Sequence, residues 1–403
     1  MNENFNGFRM PAEWEPQNSV WIAWPYNKND WPGLYQFIPE VILKIIKKIS
    51  KNQKINLIVS KNIKNIKKLI KLNKIKNINF HYIKTDRIWL RDSGPIFITN
   101  KVEKKKVILN FGFNGWSKYK NYKNDNKINN SISKIANFKK IDPIIKKKGR
   151  IRKIIMEGGA FDVNGSGTIL LTEECLLSKI QERNKNFKKK DYEKMFNKYL
   201  NIKNFIWLKK GIAGDDTHGH VDDISRFVSR NTIMTAVENN KKDINYKNLN
   251  KNLNILKESK CEKGKKFKII KVPMPSPIYI ENTRVPASYM NFYICNKKII
   301  LPIFRVKEDN IAIKIFNPSN SMGKVRIITP VEIASKRFLN LISPLFIMPY
   351  ILVREREIVV TDQITSTHES AIPMEKIEEA SYLTSTPSGL PDASDNSNRI
   401  GRP

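Results

Sequence analysis

Short apolar runs alternate with longer Lys/Asn/Ile segments from near the N-terminus to about residue 316, and this alternation restricts the fold more than any other feature. Val20–Trp24, Ile55–Ser60, Ile78–Ile83, Val107–Phe111, Phe205–Leu208, Thr232–Val237 and Phe267–Val272 read as strands, many of them bounded by Gly, Pro, Asn or charge. Between them, Gln36–Ser50, 61–73 and 182–204 carry apolar residues at helical spacing, and the Lys-rich stretch up to about residue 150 reads as helical too. Residues 154–177 read as a hairpin turning at Asn164–Gly165, residues 288–304 as another turning at 296–298, and Ile311–Phe316 opens a helix or a strand. Strands interleaved with amphipathic helices argue for α/β or α+β rather than a bundle, with α/β favoured.

Composition matters chiefly for what it excludes. The net charge of +35 suggests nucleic acid at first, but the lysines are spread along nearly every segment. Only Lys146–Lys148 with Arg150, Arg152 and Lys153, and Lys188–Lys190, form compact basic clusters. A chain-wide Lys/Asn/Ile bias reflects coding composition rather than a binding face, so nucleic acid is not an expected partner. Three cysteines without a close pair exclude a disulfide framework and suit a reducing compartment. Met1–Arg9 is polar, with no apolar core of a signal after it, and Phe338–Val353 is short and holds two prolines. The expectation is a cytoplasmic protein without a membrane partner. The texture changes at about Asn317: residues 317–403 hold nine Lys/Arg against ten Asp/Glu, and the last forty are rich in Ser, Thr, Pro and Glu. Residues 1–316 therefore read as one body and 317–403 as an atypical tail, its last forty residues expected to be disordered.

Chemistry concentrates in GDDTHGHVDDISRF, Gly214 to Phe227, which holds two of only four histidines, His218 and His220, among four aspartates. Imidazole titrates near neutral pH, and a flanking carboxylate sets its charge and tautomer. The alternation from Ile224 to Val228 makes this a loop feeding a strand. In DRIWLRDSGPIFIT, Asp92 stands at a turn between a strand at Ile88–Leu90 and one at Ile96–Thr99. It either caps that turn or aims into a cleft to bind a cation. Glu157 precedes two glycines, which allow a backbone or a ligand to approach closely. Cys295 lies in an apolar strand and reads as a core thiol, and Cys175, after the Glu157 hairpin, as no better a nucleophile. His218, His220 and Asp222 also suggest a metal-dependent hydrolase of metallo-β-lactamase type. That reading needs a further His where Asp223 stands and more histidines downstream, and only His368 follows. The ligand count fails, so no metal or other cofactor is expected.

Six motifs in order, AEWEPQNSVWIAWP, IWLRDSGP, NFGFNGW, EGGAFDVNGSGT, GDDTHGHVDD and NFYICNKKIILPIF, resemble the agmatine deiminase and bacterial peptidylarginine deiminase family from about Phe8 to Phe316. The resemblance implies a five-fold pseudosymmetric α/β-propeller of ββαβ units, with the last unit missing or atypical after about Phe316. It implies hydrolysis of agmatine to N-carbamoylputrescine and ammonia, a step of putrescine synthesis, without a cofactor. His220 matches the family's general acid/base, Asp222 and Asp92 its guanidinium-binding carboxylates, and Glu157 the Glu of its Glu-Gly-Gly motif. Trp89 and Asp216 match positions that line the substrate pocket, and His218 is not expected to be catalytic. A guanidinium is planar and cationic with N–H groups in plane, so flanking carboxylates grip it bidentately. The family's nucleophile is a cysteine in a C-terminal Gly-rich segment; none follows Cys295 here, so no nucleophile is assigned and turnover is expected to suffer. Peptidyl-arginine or free arginine is the alternative substrate, a non-catalytic basic protein the alternative class, and a homo-oligomer stays open.

Overall fold

A strand followed by a tight turn folds back antiparallel, whereas a strand followed by a helix returns parallel, and this chain uses the two connections in rotation. The structure is a computed structural model describing residues 5–316, apart from 32, 148, 281 and 297, and the strand Arg326–Ile328. Among the described residues the same ββαβ run occurs four times. Ile96–Asn100 pairs antiparallel with Lys105–Leu109, which after the helix Ile128–Ala136 pairs parallel with Lys139–Ile141. Phe161–Val163 and Thr168–Thr172 are followed by the helix Lys189–Leu200 and the parallel strand Asn204–Leu208. Ser225–Ser229 and Thr232–Val237 precede the helix Tyr246–Glu258 and Lys268–Pro273. Tyr293–Cys295 and Lys298–Ile300 precede the helix Asp309–Phe316 and Arg326–Ile328. A fifth sheet differs: Ser19–Ala23, Lys54–Val59 and Ile78–Tyr82 are all parallel, with the helices Ile38–Ile49 and Ile63–Leu72 between them.

Local chemistry explains the elements. Ile38–Ile49 has Pro near its start, Glu40 in its first turn and Lys47 and Lys48 in its last, each suited to the helix dipole. Its buried Ile46 and Ile49 pack in one cluster with Ile55, Leu57 and Val59. Each such side chain contributes about 1.5–3 kcal/mol. The hairpin at Asn164–Gly165 uses Gly165 at φ +71°, and the Asn164 side chain accepts from Ser166 N and Thr168 N at 2.9 and 3.0 Å.

Two expectations are corrected. Ile88–Leu90 is not a strand: Asp92 N and Ser93 N both donate to Trp89 O, making a single helical turn over Leu90–Ser93. The Lys-rich stretch is helical only over the 3-10 turn Asp125–Lys127 and the α-helix Ile128–Ala136, and Lys139–Ile141, Ile144–Lys147 and Arg150–Lys153 are strands. Ile311–Phe316 belongs to a helix. The proposed tail and its disorder lie outside the described residues, apart from Arg326–Ile328. Among the described residues no helix is long and apolar enough to cross a membrane.

Candidate active site

The site is assembled from one repeated position in the fold. Asp92 stands four residues before the leading strand of its unit, Ile96–Asn100. Glu157 stands four residues before Phe161–Val163 and precedes the short turn Gly158–Ala160. His220 precedes the turn Val221–Asp223, which carries Asp222 and leads into Ser225–Ser229. Successive units thus send their entry loops to one place. The His220 loop is shaped by Asp215, whose carboxylate accepts from Thr217 N, Thr217 Oγ1, Gly219 N and His220 N at 2.6–3.0 Å. Gly219 adopts φ +91°, and a Cβ there would meet the Glu174 side chain at 3.0 Å.

The imidazole of His220 is buried with carboxylates on both sides. Its Nδ1 lies 3.8 Å from Asp92 Oδ1 and 3.9 Å from Asp222 Oδ1, and its Nε2 lies 3.9 Å from Glu157 Oε2. Asp92 is fixed by Gly159 N on Oδ1 and by Trp116 Nε1 on Oδ2, each at 3.0 Å. Arg183 fixes Glu157 through Nε to Oε1 at 3.1 Å, with both side chains fully buried. Gly159 lets its backbone lie close against all three groups: a Cβ there would stand 2.5 Å from His220 Nδ1, 2.8 Å from Asp92 Oδ1 and 3.0 Å from Asp222 Oδ2, too near for a side chain.

These contacts set the charges. Burial alone would raise Glu157, but the charges of Arg183 and His220 outweigh it and hold the carboxyl at about 2. Burial lifts Asp92 to about 6, with His220 pulling it down and Asp222 and Glu157 pushing it up. Asp222 is raised for the same first reason, offset by His220, Arg91 and Arg226. Burial would depress His220, yet Asp92, the Cys175 sulfur and Glu157 together raise it well above its ordinary value. Glu157 is therefore held ionised and His220 protonated through the neutral range, with Asp92 and Asp222 beside the ring and Arg183 against Glu157. The Asp92 and Asp222 carboxylates beside Gly159 are where a planar cation would find acceptors on its edges.

The structure thus brings His220, Glu157, Asp222 and Asp92 together. Trp89 is buried beside Asp92, with its ring 5.5 Å from that of Trp31. Asp216 is half-buried, pairs with Lys118 and accepts from the Tyr119 hydroxyl; Tyr119 in turn packs 6.0 Å from Trp116. His218 turns away to Ser178 Oγ at 3.0 Å. The grouping His218, His220 and Asp222 is therefore corrected: among the described residues the metal-capable donors that converge are Glu157, Cys175 and His220. Cys175, read from sequence as unpromising, is a member of the cluster, whereas Cys295 is a core thiol that burial pushes up to about 12. Trp116, Arg183 and Gly159 were not singled out from sequence. Trp116 and Gly159 lie within the quoted motifs NFGFNGW and EGGAFDVNGSGT, but Arg183 had no signal.

The model of the Porphyromonas-type peptidyl-arginine deiminases matches residues 9–336. The chain belongs to that family. A provisionally named agmatine deiminase of Legionella pneumophila (strain Paris) is 31% identical over 313 residues, covering 77% of this chain and 86% of its own. The agmatine deiminase of Medicago truncatula is 28% identical, over 78% and 88%. The solved agmatine deiminase of Enterococcus faecalis superposes with a TM-score of 0.69 at 26% identity, covering 81% of this chain and 93% of its own. The family match runs twenty residues past the compositional break at 316.

Proposed function

We propose that this family member is an agmatine deiminase-type hydrolase whose guanidinium seat lies between Asp92 and Asp222 beside Gly159. The observation that carries the reading is the buried His220, with two carboxylates at Nδ1, a third at Nε2 and the side-chain-free Gly159 against the Nδ1 side. Agmatine and water become N-carbamoylputrescine and ammonia. The covalent route needs a thiolate to add to the guanidinium carbon, a role assigned to none of the three cysteines here; His220, already protonated, would pass its proton to the ammonia departing from that adduct. Neutral His220 then takes a proton from the water that releases the ureido product, while Glu157 steadies the ring in both states. Agmatine is chosen over peptidyl-arginine and free arginine because the named relatives are agmatine deiminases. Three free thiols, all buried, are compatible with a cytoplasmic setting.

Four ββαβ units with one parallel sheet support the reading of a five-fold propeller. By the entry-loop rule, a nucleophile would arrive on a loop leading a strand antiparallel to Ser19–Ala23, and the described residues contain no such strand. The sequence has no cysteine beyond Cys295. The site therefore supplies binding and proton transfer more fully than it supplies the covalent step.

Calorimetry on the 403-residue chain is expected to show agmatine binding that weakens about 30–100-fold in Asp222→Asn, the loss of a charge-assisted contact worth about 2–3 kcal/mol. Ureido product is expected to be a small residual, and whatever forms must vanish in that variant. Absent binding, or binding indifferent to Asp222→Asn, sinks the reading. Tighter binding of free arginine or an arginine peptide would move the substrate to that class.

Binding should also depend on pH. Asp92 has its carboxyl near 6, and a guanidinium needs it ionised. Affinity should be flat above about pH 7 and fall, approaching tenfold per unit, well below 6, with proton release on binding near pH 6. A dissociation constant unchanged between pH 5 and 8 would remove Asp92 from the seat.

A further inference from the structure

We propose that Glu157, Cys175 and His220 form a buried site for one borderline-soft divalent cation of the zinc class, Zn²⁺ or Cd²⁺. One donor atom from each residue lies within 4.8 Å of the other two, and all three side chains are buried. Two of those residues present atoms with no hydrogen-bond partner among the described residues: Glu157 Oε2 and His220 Nε2, 3.9 Å apart. Leaving buried polar atoms unpaired is costly, and a shared cation that displaces the Nε2 proton would satisfy both. Arg183 occupies the other Glu157 oxygen, which leaves Oε2 toward the ring.

The donor set selects the metal. Thiolate, imidazole and carboxylate suit zinc and its heavier congener, whereas calcium and magnesium take oxygen cages. Ligands at about 2.0–2.3 Å from a tetrahedral zinc stand roughly 3.3–3.8 Å apart, so donors within 4.8 Å of one another have to close by at most about 1.5 Å. Thr172 holds the pieces in register: its hydroxyl accepts from Cys175 N at 3.3 Å and donates to Gly219 O, next to His220. Cation at Nε2 would displace the Glu157 contact that steadies the ring and lower the proton affinity of Nδ1, the atom that faces the guanidinium seat. That inhibitory consequence rests on the proposed function; cation uptake does not.

The test is titration of the reduced, metal-free 403-residue chain with Cd²⁺, followed by sulfur-to-metal charge-transfer absorbance in the ultraviolet. One equivalent should bind. The band should disappear in Cys175→Ser and persist in Cys261→Ser and Cys295→Ser, the other two buried thiols. In Glu157→Gln, which keeps the thiol and the side-chain volume, affinity should fall at least about tenfold. Absence of uptake, a band that survives Cys175→Ser, or unchanged affinity in a folded Glu157→Gln chain would each overturn the site. Uptake without agmatine binding would sink the functional reading and leave this site standing; agmatine binding without uptake would do the reverse.

Discussion

Arg226→Met is expected to lower the free energy of unfolding by about 3–5 kcal/mol at neutral pH, a third or more of what many domains possess. Met nearly matches the length of the arginine stem, so the loss isolates the charge. Arg226 is almost fully buried, donates to Glu13 Oε2 at 2.7 Å and to Phe292 O at 3.0 Å, and has Asp162 Oδ1 3.3 Å from its Nε. Without it, Asp162 loses the charge that most counteracts its burial, and Glu13 keeps only Arg91, at 2.6 Å. Burial would raise Glu13, but Arg226 and Arg91 together hold it at about 2. Since an unfolded Glu titrates near about 4.3, this contribution is complete above that pH and is lost only as pH falls through 2. Urea denaturation at pH 7 measures the effect, and Glu13→Gln with Asp162→Asn in the Met background should recover part of it. A loss below about 1 kcal/mol would show that the network is dispensable.

The same network lies under the candidate site. Glu13 joins Arg91, the neighbour of Asp92, to Arg226 on the strand that follows Asp222, and its other oxygen accepts from Ile294 N at 2.7 Å. One carboxylate from the N-terminal segment thereby fixes the entry loop of one unit and strands of two others. Spacing between Asp92 and Asp222 is a tertiary property, set far from either residue in sequence.

That is why the site was only partly legible beforehand. His220 and Asp222 could be found because charge and glycine are dense in one short stretch, and Glu157 because two glycines follow an acid in an apolar setting. Arg183 is 26 residues from Glu157 and Trp116 is 24 from Asp92, on other elements, so no local pattern connects them. Cys175 reads only as a residue after the Glu157 hairpin, and it is the folding of Gly219 against Glu174 that brings the His220 loop over it. The misread strand at Ile88–Leu90 has the same origin: an apolar run suits strand or buried turn, and capping by Trp89 O decides it. Lys-rich strands such as Arg150–Lys153 escaped because exposed edge strands take lysine and arginine freely, which blurs the period.

Gly159→Ala is expected to reduce agmatine affinity at least about 100-fold, near 3 kcal/mol, while the chain stays folded. Gly159 does not occupy a left-handed conformation, so alanine adds no backbone strain there. Its methyl would meet His220 Nδ1, Asp92 Oδ1 and Asp222 Oδ2 at 2.5–3.0 Å, and all three belong to buried groups. Overpacking of this kind costs about 1–3 kcal/mol of stability, less than the Arg226 substitution, and a thermal melt separates it from loss of binding. The backbone N–H that donates to Asp92 remains, so the variant removes space and leaves charge. Asp222→Asn does the opposite. If both variants abolish binding, the guanidinium lies between the two carboxylates against Gly159. If only Asp222→Asn does, and the alanine variant binds agmatine like the parent, the cation sits on the far side of Asp222 and His220 cannot reach its leaving nitrogen from Nδ1.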